Sequence, residues 1–118
     1  MDILDFNKGI ARFEFDGGKD FDYVKLEDLY IENGKNEVYK VNALYINDSK
    51  FGEQPLAVTD THNVNLPMHL LEDVKQIRDI EKIVDDINNG KVGFKIYQYV
   101  NTKYNSVGYS INWVEING

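Results

Sequence analysis

The clearest alternation of apolar and polar side chains lies over residues 92–101, which predicts a β-strand. Because successive side chains of a strand point to opposite faces, one face is expected in a core and the other at a surface. The core face carries Val92, Phe94 and Ile96, and the surface face carries Lys95, Tyr97 and Tyr99. A second strand is predicted over residues 106–116, after a turn at 101–105 and with Gly108 as a position for a bulge. The two strands form an antiparallel hairpin.

A second hairpin is predicted in the N-terminal half, from strands over residues 22–31 and 37–47. Asn33-Gly34 lies between them, and Asn-Gly is the most reliable short signal for a tight hairpin turn. The apolar phase of the first strand shifts at Glu27-Asp28, which is typical of a β-bulge that bends a strand. A short strand over residues 10–15 is also predicted before this hairpin.

One helical block is predicted over residues 68–89, because apolar residues there recur every three or four positions. Asn65 is suited to cap the start of this block and Pro67 to occupy its first turn. Gly90 follows as a left-handed C-terminal cap. The pattern leaves open whether the block is one helix or two helices divided at Arg78-Asp79.

The order of elements predicts a mainly β fold in a single domain that spans residues 1–118. With a third strand over residues 56–59, there are five principal strands and one helical block between the third and fourth strands. This is the order of the oligonucleotide-binding barrel, or OB-fold. A ferredoxin-like fold needs two helices, and the pattern of the N-terminal half predicts none. An SH3-like barrel rarely holds a helix of this length. We therefore expect a five-stranded OB-fold-like barrel.

The formal net charge is -7, which by itself argues against binding to nucleic acid, since phosphate contacts need local positive charge. The distribution of charge changes that conclusion. From Gly90 to the end of the chain the only acidic residue is Glu115, whereas the same stretch contains Lys91, Lys95 and Lys103. An acidic protein with this distribution can still present a basic C-terminal surface.

The sequence gives little support for an enzyme or a metalloprotein. There is no cysteine, so disulfides, thiolate zinc sites and thiol catalysis are excluded. His62 lies near Asp60 without a third ligand at matching spacing, and Gly17-Gly18-Lys19 lacks the pattern of a phosphate-binding loop. We expect no catalysis, no metal and no cofactor. No signal peptide and no apolar run of about 20 residues is visible, so we expect a cytoplasmic protein without a membrane segment.

Aromatic residues and lysines supply the candidate binding residues. The chain has 8 tyrosines, most of them on predicted strands. Phe94, Tyr109 and Trp113 are expected in the core. A second set is expected at a surface, where rings stack on bases and lysines contact the phosphates of single-stranded nucleic acid. This set consists of Lys35, Tyr39, Lys40, Tyr45, Lys91, Lys95, Tyr97, Tyr99 and Lys103. For Tyr39 and Tyr45 a place in the core stays open as an alternative.

Three stretches carry a resemblance to a known family: residues 65–70 (NLPMHL), 88–99 (NNGKVGFKIYQY) and 108–115 (GYSINWVE). They resemble small single-stranded-DNA-binding proteins of phages that infect lactococci and related Gram-positive bacteria. The resemblance implies an OB-fold that coats single-stranded DNA in phage replication or recombination. It also implies self-association into a homo-oligomer, and replication or recombination proteins are expected as further partners. The binding positions that it implies here are Lys40, Lys95, Tyr97 and Tyr99.

A second function, of another class, is consistent with the same sequence. A carboxylate-rich surface can compete with nucleic acid for a basic groove, so the net charge of -7 also fits an acidic phage module that inhibits a host nucleic-acid enzyme. The positions of the acidic residues in space distinguish the two functions. Carboxylates along the concave face of the barrel favour the inhibitor, and lysines along that face favour the nucleic-acid binder.

Overall fold

Two β-sheets and three α-helices form the part of the chain that the structure, a computed structural model, describes, namely residues 13–15, 21–50 and 52–116. In chain order the elements are β1 (Tyr23–Lys25), α1 (Leu26–Asn33), β2 (Tyr39–Lys40), β3 (Ala43–Ser49), β4 (Gly52–Val58), β5 (Asn63–Asn65), a 3-10 turn (Met68–Leu70), α2 (Leu71–Arg78), α3 (Glu81–Asn88), β6 (Val92–Asn101) and β7 (Ser106–Glu115). One sheet has the strand order β1-β5-β4-β3 and the other has the order β2-β6-β7. The mainly β class predicted from the sequence is confirmed.

The C-terminal hairpin predicted from the alternating pattern is confirmed. β6 and β7 are each 10 residues long and pair antiparallel in a continuous register. Phe94 and Ile96 are buried and Lys95 is exposed, as the alternation requires. Gly108 pairs directly with Tyr99 without a bulge, so that part of the prediction is wrong.

The predicted helical block is confirmed as two helices, α2 and α3, which are divided at Asp79 and Ile80. Gly90 follows α3 with φ of 74°, the left-handed conformation that glycine adopts without steric cost. The block begins after Pro67 with the 3-10 turn, whereas Asn65 belongs to β5 and does not cap a helix. The predicted third strand is also present, as part of β4.

The predicted strand over residues 22–31 is wrong beyond its first residues, because Leu26–Asn33 is a helix. Leu26 and Leu29 are both buried in the core. Their spacing of three residues shows that the apolar phase shift marks a helical face rather than a bulge. The Asp28 carboxylate accepts a hydrogen bond from the backbone N–H of Lys25 at 3.0 Å, which stabilises the start of α1.

Asn33-Gly34 is the end of α1 and not a hairpin turn. The glycine has φ of 80°, and its N–H donates to the carbonyl oxygen of Tyr30 at 2.8 Å. The predicted partner strand over residues 37–47 is divided between the sheets, because β2 pairs with β6 and β3 pairs with β4. Val41 and Asn42, both buried, carry the chain from one sheet to the other.

The predicted closed barrel is not confirmed. Within the described residues no ladder of paired strands joins the two sheets, and β3 and β7 lie at sheet edges. The predicted strand over residues 10–15 falls mostly outside the described residues. Residues 13–15, which are described, are not part of a strand.

A single hydrophobic cluster joins both sheets and all three helices. It includes Phe94 and Ile96 of β6, Leu44 of β3, Leu29 of α1, Val74 of α2 and Ile87 of α3. Burial of each such side chain stabilises the fold by about 1.5–3 kcal/mol. The Phe94 ring stacks on Tyr39 with 5.4 Å between centroids and meets Trp113 edge-on at 6.4 Å. Phe94 is thus confirmed as core, and Tyr109 and Trp113 pack against the cluster as partly buried rings.

Candidate nucleic-acid interface on the C-terminal hairpin

The surface face of β6 brings Lys95, Tyr97 and Tyr99 together, and we call these three residues the hairpin platform. Because Phe94 and Ile96 hold the opposite face of the strand in the core, the platform side chains are directed to the surface. Tyr97 and Tyr99 are each 39% exposed. Their ring centroids are 6.2 Å apart, with 50° between the ring planes. Two neighbouring rings are therefore open to a flat ligand on a firmly anchored strand.

The Tyr99 ring lies across β7 because its cross-strand partner, Gly108, has no side chain. A Cβ atom at Gly108 would lie 2.4 Å from Cζ of Tyr99 and 2.6 Å from its Oη. Carbon atoms in contact are normally about 3.5–4.0 Å apart. The glycine thus gives the Tyr99 ring its place on the hairpin, which is the reason for a glycine at a position that forms no bulge.

The hairpin has no acidic residue over residues 92–114, in a chain whose net charge is -7. Lys95 lies on the platform, and Lys103 lies in the turn at the hairpin tip. The Lys103 ammonium is 5.3 Å from the centroid of the Tyr104 ring. Among the described residues, neither lysine forms an ion pair with a carboxylate. The hairpin is therefore locally cationic in an acidic protein.

Sequence reasoning missed the exposed hairpin tip. Tyr104 is 68% exposed, and Val100 and Val107, which pair across the two strands, are exposed as well. A cation next to an aromatic ring in a predicted turn was a usable signal for Tyr104. The two valines gave no such signal, since valine on a strand is usually buried.

Tyr39 does not belong to an exposed face, contrary to its inclusion in the predicted binding set. It is 9% exposed and stacked on Phe94. Its hydroxyl donates to the Leu29 carbonyl oxygen at 3.4 Å and accepts from Nδ2 of Asn33 at 3.1 Å. Burial raises the pKa of the Tyr39 phenol, because a buried phenolate would lose its hydration. The core alternative holds for this ring, which no base can reach in this fold.

Tyr45 lies on β3, in the other sheet from the hairpin platform. Phe13 meets its ring edge-on with 5.9 Å between centroids, and the Arg78 guanidinium carbon is 6.0 Å from the ring centroid. Arg78 also donates a hydrogen bond to the Leu44 carbonyl oxygen. Tyr45 is therefore held in a separate cluster, although part of its ring is exposed.

The other lysines of the predicted binding set, apart from Lys95 and Lys103, lie outside the C-terminal hairpin. Lys40 on β2 pairs with Gly93 of β6, and its Nζ is 3.4 Å from Oδ1 of Asp60. Directly paired residues share a face of a sheet, so Lys40 lies on the platform side of β6 with its charge partly neutralised. Lys35 and Lys91 are exposed in the segments before β2 and β6.

A pocket of about 400 Å³ opens beside Tyr99. The hairpin contributes Tyr99 and Tyr109 to its lining, and the segment after β5 contributes Leu66, Pro67 and Met68. Close by, Nε2 of His69 is 2.8 Å from Oγ of Ser110, a contact that links the 3-10 turn to β7. The pocket joins segments that are distant in the chain, so no local sequence pattern could indicate it.

The described residues contain no group of three or more His, Asp or Glu side chains arranged to hold a metal ion. Nδ1 of His62 is 2.8 Å from the hydroxyl oxygen of the neighbouring Thr61. In the same described ranges, no helix has the length and apolar character needed to cross a membrane.

Comparison of the chain with protein-family models, curated proteins and solved structures gives no match. The resemblance to phage single-strand binders therefore stays a prediction that rests on the residues of the three stretches.

Proposed function

We propose that the protein binds single-stranded DNA without sequence preference, through the hairpin platform. The observation that carries the proposal is the exposed succession of Lys95, Tyr97 and Tyr99 on a hairpin that lacks acidic residues. Lysine ammonium groups neutralise phosphates, and tyrosine rings stack on bases of any sequence because every base has a flat face. Segregation of charge allows an acidic protein to present this surface.

The two platform rings account for a useful part of the binding energy. Stacking contributes about 1–3 kcal/mol per base, so one base on each of Tyr97 and Tyr99 corresponds to about 2–6 kcal/mol. Micromolar affinity corresponds to about 8 kcal/mol. Phosphate contacts by Lys95 and Lys103, and further contacts along the strand, would supply the binding energy that stacking on the two rings does not. The platform alone therefore supports moderate affinity, which self-association along a strand would increase.

Single strands fit this surface better than a duplex, because each cation of α2 and α3 is already engaged. Nζ of Lys75 is 2.9 Å from Glu53, and Nζ of Lys82 is 3.0 Å from Asp86. The hydrogen bonds to these carboxylates raise the pKa of both lysines. Arg78 donates to a backbone carbonyl. A helix that reads a duplex in the major groove needs cations free to contact phosphates and base edges.

The proposal includes the fold family and the biological setting. The strand and helix order, with the change of sheet at Val41 and Asn42, supports a variant of the OB-fold. The resemblance to phage proteins supports a homo-oligomer that coats single-stranded DNA in the host cytoplasm during replication or recombination. Replication or recombination proteins are the further partners proposed.

Replacement of Tyr97 with alanine tests the proposal. Loss of one stacked base should weaken the affinity for a dT oligonucleotide by about 1–3 kcal/mol, or about 5- to 150-fold. Fluorescence anisotropy of a labelled oligonucleotide measures this affinity, with a duplex of the same length for comparison. Tyr23→Ala is the matched control, because Tyr23 is an exposed tyrosine on β1 of the other sheet. Unchanged affinity for Tyr97→Ala, or an equal loss in both variants, would exclude the platform.

The same titration at two salt concentrations tests the phosphate contacts. Affinity should fall as salt rises, because bound phosphates release their counterions. Lys95→Gln should reduce the slope of log affinity against log salt by about 1. A slope equal to that of the unmodified protein would mean that Lys95 contacts no phosphate.

A second candidate function is favoured by the surface of α1. Glu27, Asp28 and Glu32 are exposed there, together with Ile31, which is 72% exposed. A surface that combines carboxylates with an apolar side chain is suited to a basic protein surface, as in an inhibitor of a host nucleic-acid enzyme. This candidate predicts no binding of the oligonucleotide, so the titration distinguishes the two functions.

A further inference from the structure

The pocket beside Tyr99 is continuous with the hairpin platform. The Tyr99 ring is next to that of Tyr97 and also lines the pocket. The pocket volume of about 400 Å³ lies within the range of about 300–1,000 Å³ typical of small-molecule sites. Because Tyr99 belongs to both, a strand with a base stacked on Tyr99 would pass next to the pocket.

The lining of the pocket suits a flat aromatic ligand. Tyr99 and Tyr109 supply rings, and Pro67 and Met68 supply apolar contacts. Leu66, also in the lining, is buried in the core. Met68 is 51% exposed, so its side chain is accessible to a ligand in the pocket. The pocket therefore offers apolar area that a nucleobase could cover.

Two side-chain amides, those of Gln54 and Asn65, are among the polar groups of the pocket. Nε2 of Gln54 donates to the Leu66 carbonyl oxygen at 2.6 Å and to the Pro55 carbonyl oxygen at 3.2 Å, which fixes the side chain. The described residues give the Asn65 side-chain amide no hydrogen-bond partner. An asparagine amide is both donor and acceptor and can turn to suit the ligand. It can thus pair with the edge of more than one kind of base.

The charges in the lining distinguish a base from a phosphate. Lys25 and Glu27 both line the pocket, and their formal charges cancel. A phosphate group would lose hydration next to a carboxylate without a net positive field to compensate. A neutral base has no charge for the carboxylate to repel. The phosphates of a bound strand would instead stay outside the pocket, where Lys95 is exposed.

We propose that this pocket receives a single unstacked nucleobase of the bound strand. The proposal rests on the proposed function, since the platform delivers the strand. It adds a site of different chemistry, in which a base lies against the rings and apolar side chains of the pocket and its edge meets an amide. Tyr99 is the residue that joins the two sites.

Methyl NMR tests the pocket directly. The chain contains 2 methionines, Met1 and Met68, so ¹³C-methyl labelling of methionine places one probe in the pocket, and Met68→Ala assigns it. A base in the pocket should shift the Met68 methyl signal through its ring current, with the same midpoint as the anisotropy titration. An oligonucleotide with an abasic residue at successive positions should lose this shift at one position. A shift with dTMP alone identifies a free nucleotide as a sufficient ligand, and a shift only with the oligonucleotide means that the strand delivers the base; both support a nucleobase.

A filled pocket provides the second test. Met68→Trp should occupy the pocket and weaken oligonucleotide binding about 5- to 150-fold, the effect of losing one stacked base. Ile80→Trp is the matched control, because Ile80 is an exposed apolar residue between α2 and α3 that is not part of the pocket lining.

The outcomes separate this inference from the proposed function. If the oligonucleotide binds but the Met68 signal does not move, or if Met68→Trp binds as tightly as the unmodified protein, the pocket is excluded and the platform stands. If the unmodified protein binds no oligonucleotide and dTMP leaves Met68 unmoved, both proposals are wrong.

Discussion

A single methyl group at Gly108 should displace the Tyr99 ring and weaken binding while the fold persists. In Gly108→Ala the new Cβ would lie 2.4 Å from Cζ of Tyr99 and 2.7 Å from its Cε2. Since a normal carbon contact is about 3.5–4.0 Å, the ring has to move by about 1 Å or more. The atoms in conflict are at the far end of a partly exposed side chain, so the ring can swing outward without a change in the backbone.

The expected change in stability is small. A side chain forced from its preferred rotamer costs about 0.5–1.5 kcal/mol. Replacement of glycine by alanine at an ordinary backbone conformation restricts the unfolded chain and stabilises by about 0.4–1 kcal/mol. Gly108 is not among the glycines with positive φ, so this second effect applies. The two effects nearly cancel, and thermal unfolding followed by circular dichroism should show a shift of only a few degrees.

The expected change in binding is larger, because a displaced ring loses its stacked base. Affinity for a dT oligonucleotide should fall by about 1–3 kcal/mol, as in Tyr99→Ala. Anisotropy of Gly108→Ala, Tyr99→Ala and the double variant measures this as a double-mutant cycle. The double variant should bind like Tyr99→Ala alone. If Gly108→Ala lowers affinity by the same factor in both backgrounds, it does not act through the Tyr99 ring, and the reasoning is refuted.

Two further predictions concern stability. Gly93→Ala should lower the free energy of unfolding by about 1–3 kcal/mol or more. The new Cβ would lie 2.7 Å from the carbonyl oxygen of Tyr39, so the backbone of β2 has to move. A melting temperature equal to that of Gly108→Ala would contradict this prediction. Burial raises the pKa of Tyr39, so its stabilising effect is complete below the pKa of an unfolded tyrosine, about 10, and is lost as pH rises through the higher pKa of the folded state. In denaturant titrations the unmodified protein should therefore lose more stability than Tyr39→Phe above about pH 10, whereas parallel curves would mean that the phenol is not buried.

The arrangement of charge explains how one small acidic protein can have surfaces of opposite charge. The hairpin has lysines without carboxylate partners in the described residues, whereas the lysines of α2 and α3 are paired with Glu53 and Asp86. Exposed ion pairs of this kind contribute little to stability. Under the proposed function, these pairs keep the cations of the helices from competing with the hairpin lysines for phosphate.

Sequence alone determined the C-terminal hairpin and its two faces, because both depend on local properties. The alternation around Phe94 and Tyr97 has the period of a strand, and no other element fits that period. Gly90 likewise ends a helix for a local steric reason, its positive φ. Where a pattern fitted two elements, sequence was not sufficient. The apolar residues around Leu26 and Leu29 fit a bulged strand or a helix, and the difference was decided by burial of both leucines against the same core.

Tertiary structure alone decided which of the tyrosine rings predicted at a surface are accessible, and which distant segments of the chain are in contact. Tyr39 and Tyr45 share one face of one predicted strand, but the chain changes sheets between them, so one is buried against Phe94 and the other lies on a different sheet. The pocket unites Tyr99 with Met68, residues whose sequence patterns are independent of each other. Local conformational preference is encoded over a few residues, whereas the packing of distant segments depends on the free energy of the whole core.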